Sequence, residues 1–108
     1  MNSQPSKILL IDDDEVQFTL VRRYLKRMPG TQYEVTWASN CEAALEIAAA
    51  QEFALCLLDY QLGARTGLEL LEDLRARGFD TPVILLTGRA SFELDIDGET
   101  ALAYYRID

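Results

Sequence analysis

Three short apolar runs, none with the polar alternation of a half-exposed strand, constrain this chain's fold more than any other feature. They span residues 7–11, 54–58 and 82–87. A strand that is apolar on both sides of its pleat has to be covered on both faces, the habit of parallel sheets flanked by helices. The segments between the runs repeat at helical spacing. Residues 14–28 bring Phe18, Val21, Leu25 and Met28 to one side and stop at Pro29-Gly30. Asn40 suits the N-cap of a helix to about Gln51, with Ala44, Leu45 and Ala48 turned inward. Residues 67–77 carry Leu68, Leu71 and Leu74, and Gly78 stands where a C′ glycine belongs. Residues 33–38 alternate and are rich in aromatic and β-branched side chains, which reads as a further strand. The order predicts an α/β fold, a doubly wound parallel sheet. From Ser91 the pattern weakens. Ser91 could cap a helix through Phe92, Leu94 and Ile96 that Gly98 interrupts, and residues 101–107 read as a last strand.

Size and charge narrow the function classes. The 108 residues are expected to form one domain, with residues 1–6 extended or disordered and residues 91–108 an atypical tail. A net charge of −8 argues against a nucleic-acid surface, because neutralising phosphates requires clustered bases. The densest basic group, Arg22, Arg23, Lys26 and Arg27, fits the solvated face of a helix. The polar start reads as no signal peptide, and no run approaches the ~20 apolar residues of a membrane span. Cys41 and Cys56 lack metal-site spacing, and Cys56 lies in an apolar run as a small core residue. Histidine is absent, which removes His-based triads, His-ligated zinc and a phosphohistidine carrier. The expected compartment is the reducing cytoplasm.

The chemistry gathers at one edge. In an open parallel sheet, ligands bind beyond the carboxyl ends of the strands. The first strand ends at Asp12 and Asp13, the third at Asp59, and the fourth at Thr87 followed by Gly88. Two unit charges about 4 Å apart repel by ~4 kcal/mol at an effective dielectric near 20. A hard dication relieves that repulsion, and an all-oxygen site suits Mg²⁺. A carboxylate so placed can act as a nucleophile toward a phosphoryl group, with the hydroxyl of Thr87 as a donor to it. Asp14 and Glu15 read differently, as acids favouring the positive end of the first helix.

Taken in register, these motifs resemble the receiver domains of two-component response regulators. Residues 7–15, an apolar strand followed by Asp12-Asp13, resemble the opening of that family. Residues 57–71 resemble the segment around its phosphoacceptor, and residues 82–88 its fourth strand with the switch hydroxyl. The resemblance implies a flavodoxin-like sheet ordered 2-1-3-4-5, here C-terminally incomplete because no sequence remains for a fifth helix. It implies Asp59 as phosphoacceptor, Thr87 as the switch hydroxyl, and Asp12, Asp13, Asp59 and the backbone carbonyl of Gln61 as Mg²⁺ ligands. The implied partner is a histidine sensor kinase or phosphotransfer protein, with no membrane contact and no direct contact with nucleic acid. A homodimer through the face lacking the fifth helix is a further expectation. The module would be an acceptor and not an enzyme.

Two departures stand out. Gly63 occupies a loop position where the family usually has proline. The family's lysine near the end of the fifth strand is missing, since the only lysines are Lys7 and Lys26. That absence favours an alternative, a degenerate receiver that is not phosphorylated and serves as an interaction module. An aspartyl phosphohydrolase is a weaker rival. Such enzymes place a second acid two residues after the nucleophile, where this chain has Gln61. A nucleotide or flavin site is weaker still, for no glycine-rich loop follows the first strand.

Overall fold

The computed structural model describes residues 4–86 and, beyond them, the strands Leu94–Ile96 and Ala101–Tyr105. The chain runs β1 (Ser6–Ile11), α1 (Glu15–Arg27), β2 (Tyr33–Ala38), α2 (Cys41–Ala50) and β3 (Leu55–Asp59). A small hairpin of β4 (Gln61–Leu62) and β5 (Arg65–Thr66) follows, then α3 (Gly67–Ala76) and β6 (Val83–Leu86). Strands β7 (Leu94–Ile96) and β8 (Ala101–Tyr105) complete the described elements.

The sheet is ordered β2-β1-β3-β6-β8-β7. Its first five members are mutually parallel and fill the predicted 2-1-3-4-5 positions, with β8 as the fifth strand. The helix expected from Ser91 is corrected in part: Leu94 and Ile96 lie in β7, antiparallel to β8 at the sheet's edge. The sequence Asp97-Gly98 between the two strands is a hairpin-type turn signal that competes with a helix reading. Ser91, Phe92 and Gly98 lie outside the described residues. At the other end, β1 opens at Ser6, one residue before the start of the apolar run at Lys7.

Side chains alternate across each strand, and here both sets are apolar. Leu9, Ile11, Cys56, Leu58, Val83 and Leu85 face α2 and α3, meeting Ala44, Leu70, Leu71 and Leu74. Ile8, Leu10, Leu57 and Leu86 face α1, meeting Val21, Phe18 and Leu25. Cys56 is fully buried, and burial pushes its thiol up to about 12, which leaves it an inert packing group.

The helices begin and end where local chemistry dictates. Asp14 caps α1 by accepting from the Val16 N–H at 2.9 Å, so it flanks the helix instead of opening it. Asn40 caps α2 through the Ala43 N–H at 2.8 Å. Thr66 and Glu69 form a capping box on α3, a spacing visible in the sequence. That helix closes in a Schellman arrangement, with Gly78 at φ +90° and the Phe79 N–H on the Leu74 carbonyl at 3.0 Å.

Candidate functional site

Two neighbouring strands deliver acids to one edge of the sheet. Asp12 follows β1, and its N–H still bonds the Ala38 carbonyl of β2 at 3.1 Å. Asp59 is the last residue of β3, in register with Leu86 of β6. The next N–H, of Tyr60, bonds the Leu86 carbonyl at 2.9 Å. One carboxylate oxygen from each of Asp12, Asp13 and Asp59 falls within 4.8 Å of the others. Asp12 is buried, Asp59 half-buried and Asp13 exposed, so the cluster opens to solvent on the Asp13 side.

The electrostatics record the crowding. Burial, then the nearby acids Asp59 and Asp13, push the Asp12 carboxyl up to about 7, against the N–H of Asp14 that stabilises its anion at 2.9 Å. Asp59 is also raised, chiefly by burial, although the Gln61 N–H at 3.3 Å and a hydrogen bond from Asp12 favour its anion. Burial and crowding thus favour a proton on this pair over two bare carboxylates. A proton is the smallest cation that relieves such a cluster, and a dication would do the same with more charge. All-oxygen donors of high charge density, partly open to water, fit a hard ion such as Mg²⁺.

The loop beyond Asp59 is built tightly. The Gly67 N–H bonds the Tyr60 carbonyl at 2.6 Å. A Cβ on Gly67 would collide with the Asp59 carbonyl oxygen and lie 3.1 Å from the Tyr60 Cα, so only glycine fits. Gly63 has φ +68° at the first turn position between β4 and β5, a conformation closed to proline, whose ring fixes φ near −65°. The Gly63 departure is thus a different turn, a two-residue hairpin.

The predicted residues divide as follows. Asp12, Asp13 and Asp59 come together. Gln61 opens β4 and touches the cluster through its N–H. Thr87 lies outside the described residues. Asp14 stays with the helix end, as expected. Lys7 lies near the start of β1, at the opposite edge, where its Nζ donates to Gln51 Oε1 at 2.7 Å. Lys26 is in the last turn of α1. Sequence reasoning missed Trp37, whose indole N–H donates to the Asp12 carbonyl at 2.7 Å. The available signal was a tryptophan next to a strand's end, since a buried indole N–H usually needs an acceptor.

Comparison with known proteins decides the family, for the model of the response regulator receiver domain matches residues 8–105. The chain belongs to that family. It is 36% identical over 101 residues to the transcriptional regulatory protein MalR of Bacillus subtilis, covering 94% of this chain and 41% of MalR. The receiver thus spans about two fifths of that relative's length. Among solved structures it is similar to the response regulator TrrA of Thermotoga maritima in complex with Mg²⁺–BeF. There the TM-score is 0.75 and identity 26%, covering 95% of this chain and 87% of that one. A response regulator of Burkholderia pseudomallei, solved with a phosphorylated aspartic acid, a calcium ion and citrate, is 37% identical. Its TM-score is 0.65, with 80% of this chain and 49% of that chain covered. Among the described residues of this receiver, no helix is long and apolar enough to cross a membrane.

Proposed function

We propose that this receiver accepts a phosphoryl group on Asp59 from a phosphohistidine of a sensor kinase or phosphotransfer protein. The observation that carries the reading is the cluster of Asp12, Asp13 and Asp59, which the neighbouring strands β1 and β3 bring within 4.8 Å. An ionised Asp59 oxygen attacks phosphorus, an O–P bond forms and the N–P bond breaks. The electron pair stays on the departing imidazole nitrogen. Asp12, Asp13, Asp59 and the Gln61 carbonyl would hold Mg²⁺, whose charge neutralises the incoming phosphoryl oxygens. The Gln61 N–H, on Asp59 Oδ1 at 3.3 Å, steadies the nucleophile. Thr87, next after β6 in the sequence, would donate to a phosphoryl oxygen once transfer is complete. The complexes described for the TrrA and Burkholderia relatives support this chemistry by similarity.

In this reading residues 1–108 are a single cytoplasmic acceptor module, stoichiometric and not a turnover enzyme. A second reading has one observation in its favour: neither lysine stands near the acidic edge, as the placements of Lys7 and Lys26 imply. Under it, the domain is an unphosphorylated interaction module.

Labelling with a small phosphodonor in the presence of Mg²⁺ separates the two. The expected result is one phosphoryl group per chain, lost in Asp59→Asn and retained in Asp14→Asn, because Asp14 only caps a helix. Label that persists in Asp59→Asn means that another residue is the acceptor. Absence of label in the wild type, with Mg²⁺ bound, supports the interaction module.

A further inference from the structure

We propose that Trp37 is a positioning residue of the acidic pocket, its indole N–H setting the peptide that joins Asp12 to Asp13. The inference rests on reading that pocket as a cation site. The β1–β2 ladder ends with Ile11 opposite Ala38. Asp12 keeps one ladder contact through its N–H. Its carbonyl belongs to the peptide on which the chain leaves the sheet for α1, one step past the last β1–β2 pair. Trp37 supplies the donor from its side chain, at 2.7 Å. A peptide unit is planar, so fixing the Asp12 carbonyl also fixes the Asp13 N–H and restricts where the Asp13 side chain starts.

The indole is itself held from the other side. Phe18 of α1 stacks on it, with ring centroids 5.0 Å apart and planes 10° from parallel. The Arg22 guanidinium stands 5.4 Å from the centre of the Phe18 ring. A side chain rooted in β2 and gripped by α1 thus pins the backbone hinge between β1 and α1, where two of the three acids sit. A tryptophan that merely filled the core would need some acceptor for its N–H. It would not need the one carbonyl that lies between two candidate ligands. Groups behind metal ligands typically change affinity by about 10–100-fold when removed.

The test compares wild type, Trp37→Phe and Phe18→Leu by titration calorimetry with Mg²⁺ alone, with thermal melts as the check of folding. Trp37→Phe keeps an aromatic ring against Phe18 and removes only the donor. It is expected to fold and to bind Mg²⁺ about 10-fold more weakly. Phe18→Leu keeps the donor, and its loss of affinity should be smaller. Trp37 is the only tryptophan, so its indole proton gives a single assignable NMR signal. In the metal-free wild type that proton should exchange slowly with water and shift when Mg²⁺ is added. Unchanged Mg²⁺ affinity in a folded Trp37→Phe overturns the proposal, as does an indole proton that exchanges as fast as a free indole. If Trp37→Phe fails to fold, the exchange rate and the Mg²⁺ shift decide instead. A wild type that binds no Mg²⁺ sinks the cation reading alone, and slow or fast indole exchange still decides whether Trp37 holds the hinge.

Discussion

Asp12 is 2% exposed and lies beside two other acids, and its carboxyl, raised chiefly by burial, titrates at about 7. An unfolded aspartate titrates near 3.9. Between those values the folded chain keeps a proton that the unfolded chain releases. Stability therefore falls as pH rises through this window, and the penalty is complete above about 7. The raised Asp59 carboxyl adds to the effect with the same sign. Metal-free protein should be more stable near pH 5 than near pH 8, by on the order of 2 kcal/mol. Mg²⁺ should restore much of that stability near pH 8 and add little near pH 5, where protons compete for the same oxygens. Asp12→Asn should flatten the metal-free profile. Melting curves over a pH series check this, and a metal-free stability that rises with pH from about 5 to 8 would contradict a raised Asp12 carboxyl.

Elements place the acids, and glycine decides how closely two of them approach. Gly67 is the first residue of α3, where helix propensity alone favours alanine by up to ~1 kcal/mol. The Asp59 carbonyl and the Tyr60 Cα leave no room for the added methyl group. Gly67→Ala is therefore expected to destabilise the fold by about 1–3 kcal/mol, the sign opposite to propensity. It should also lower the rate of labelling at Asp59, because the loop must shift beneath the nucleophile. Urea unfolding together with phosphodonor kinetics measures both. A neutral or stabilising Gly67→Ala would mean that the loop relaxes freely. Most of the elements themselves were legible beforehand. The N-caps Asp14 and Asn40, the stop at Pro29-Gly30 and the C′ glycine Gly78 act through bonds within a few residues, so local sequence carries them. Strand β7 is the exception: the cap signal at Ser91 suggests a helix, whereas Leu94 and Ile96, two apart, carry the strand period that the sheet's edge selects.

At the scale of the molecule, the described residues cover the two faces of the sheet unequally. Helices α2 and α3 share one face, whereas α1 is the only helix on the other among the described residues. Leu55 and Ile84 remain half-buried on the α1 side, while Cys56, Val83 and Leu85 are buried on the opposite side. Covering a few hundred Å² of apolar surface is worth several kcal/mol at ~25 cal/mol per Å². That is comparable with a small domain's whole stability. The 108-residue chain is accordingly predicted to self-associate through this face, with a melting temperature that rises with protein concentration. Light scattering and melts over a dilution series are the check. A monomer whose melting temperature ignores concentration would show that the face is already satisfied within one chain.

The amino-acid sequence by itself determined the layering and the chemistry: three apolar runs that demand cover on both faces, and acids after two of them. Period and composition carry that information because each strand's burial is written in its own residues. Only the tertiary structure decided how the acids interact. Asp12 and Asp59 lie 47 positions apart in the chain, and they crowd each other because β1 and β3 are neighbours in the sheet. The bond from Trp37 to the Asp12 carbonyl spans 25 positions, and the need for glycine at Gly67 depends on a loop folding back upon β3. Distances between residues remote in sequence are set by packing, and no local pattern encodes them.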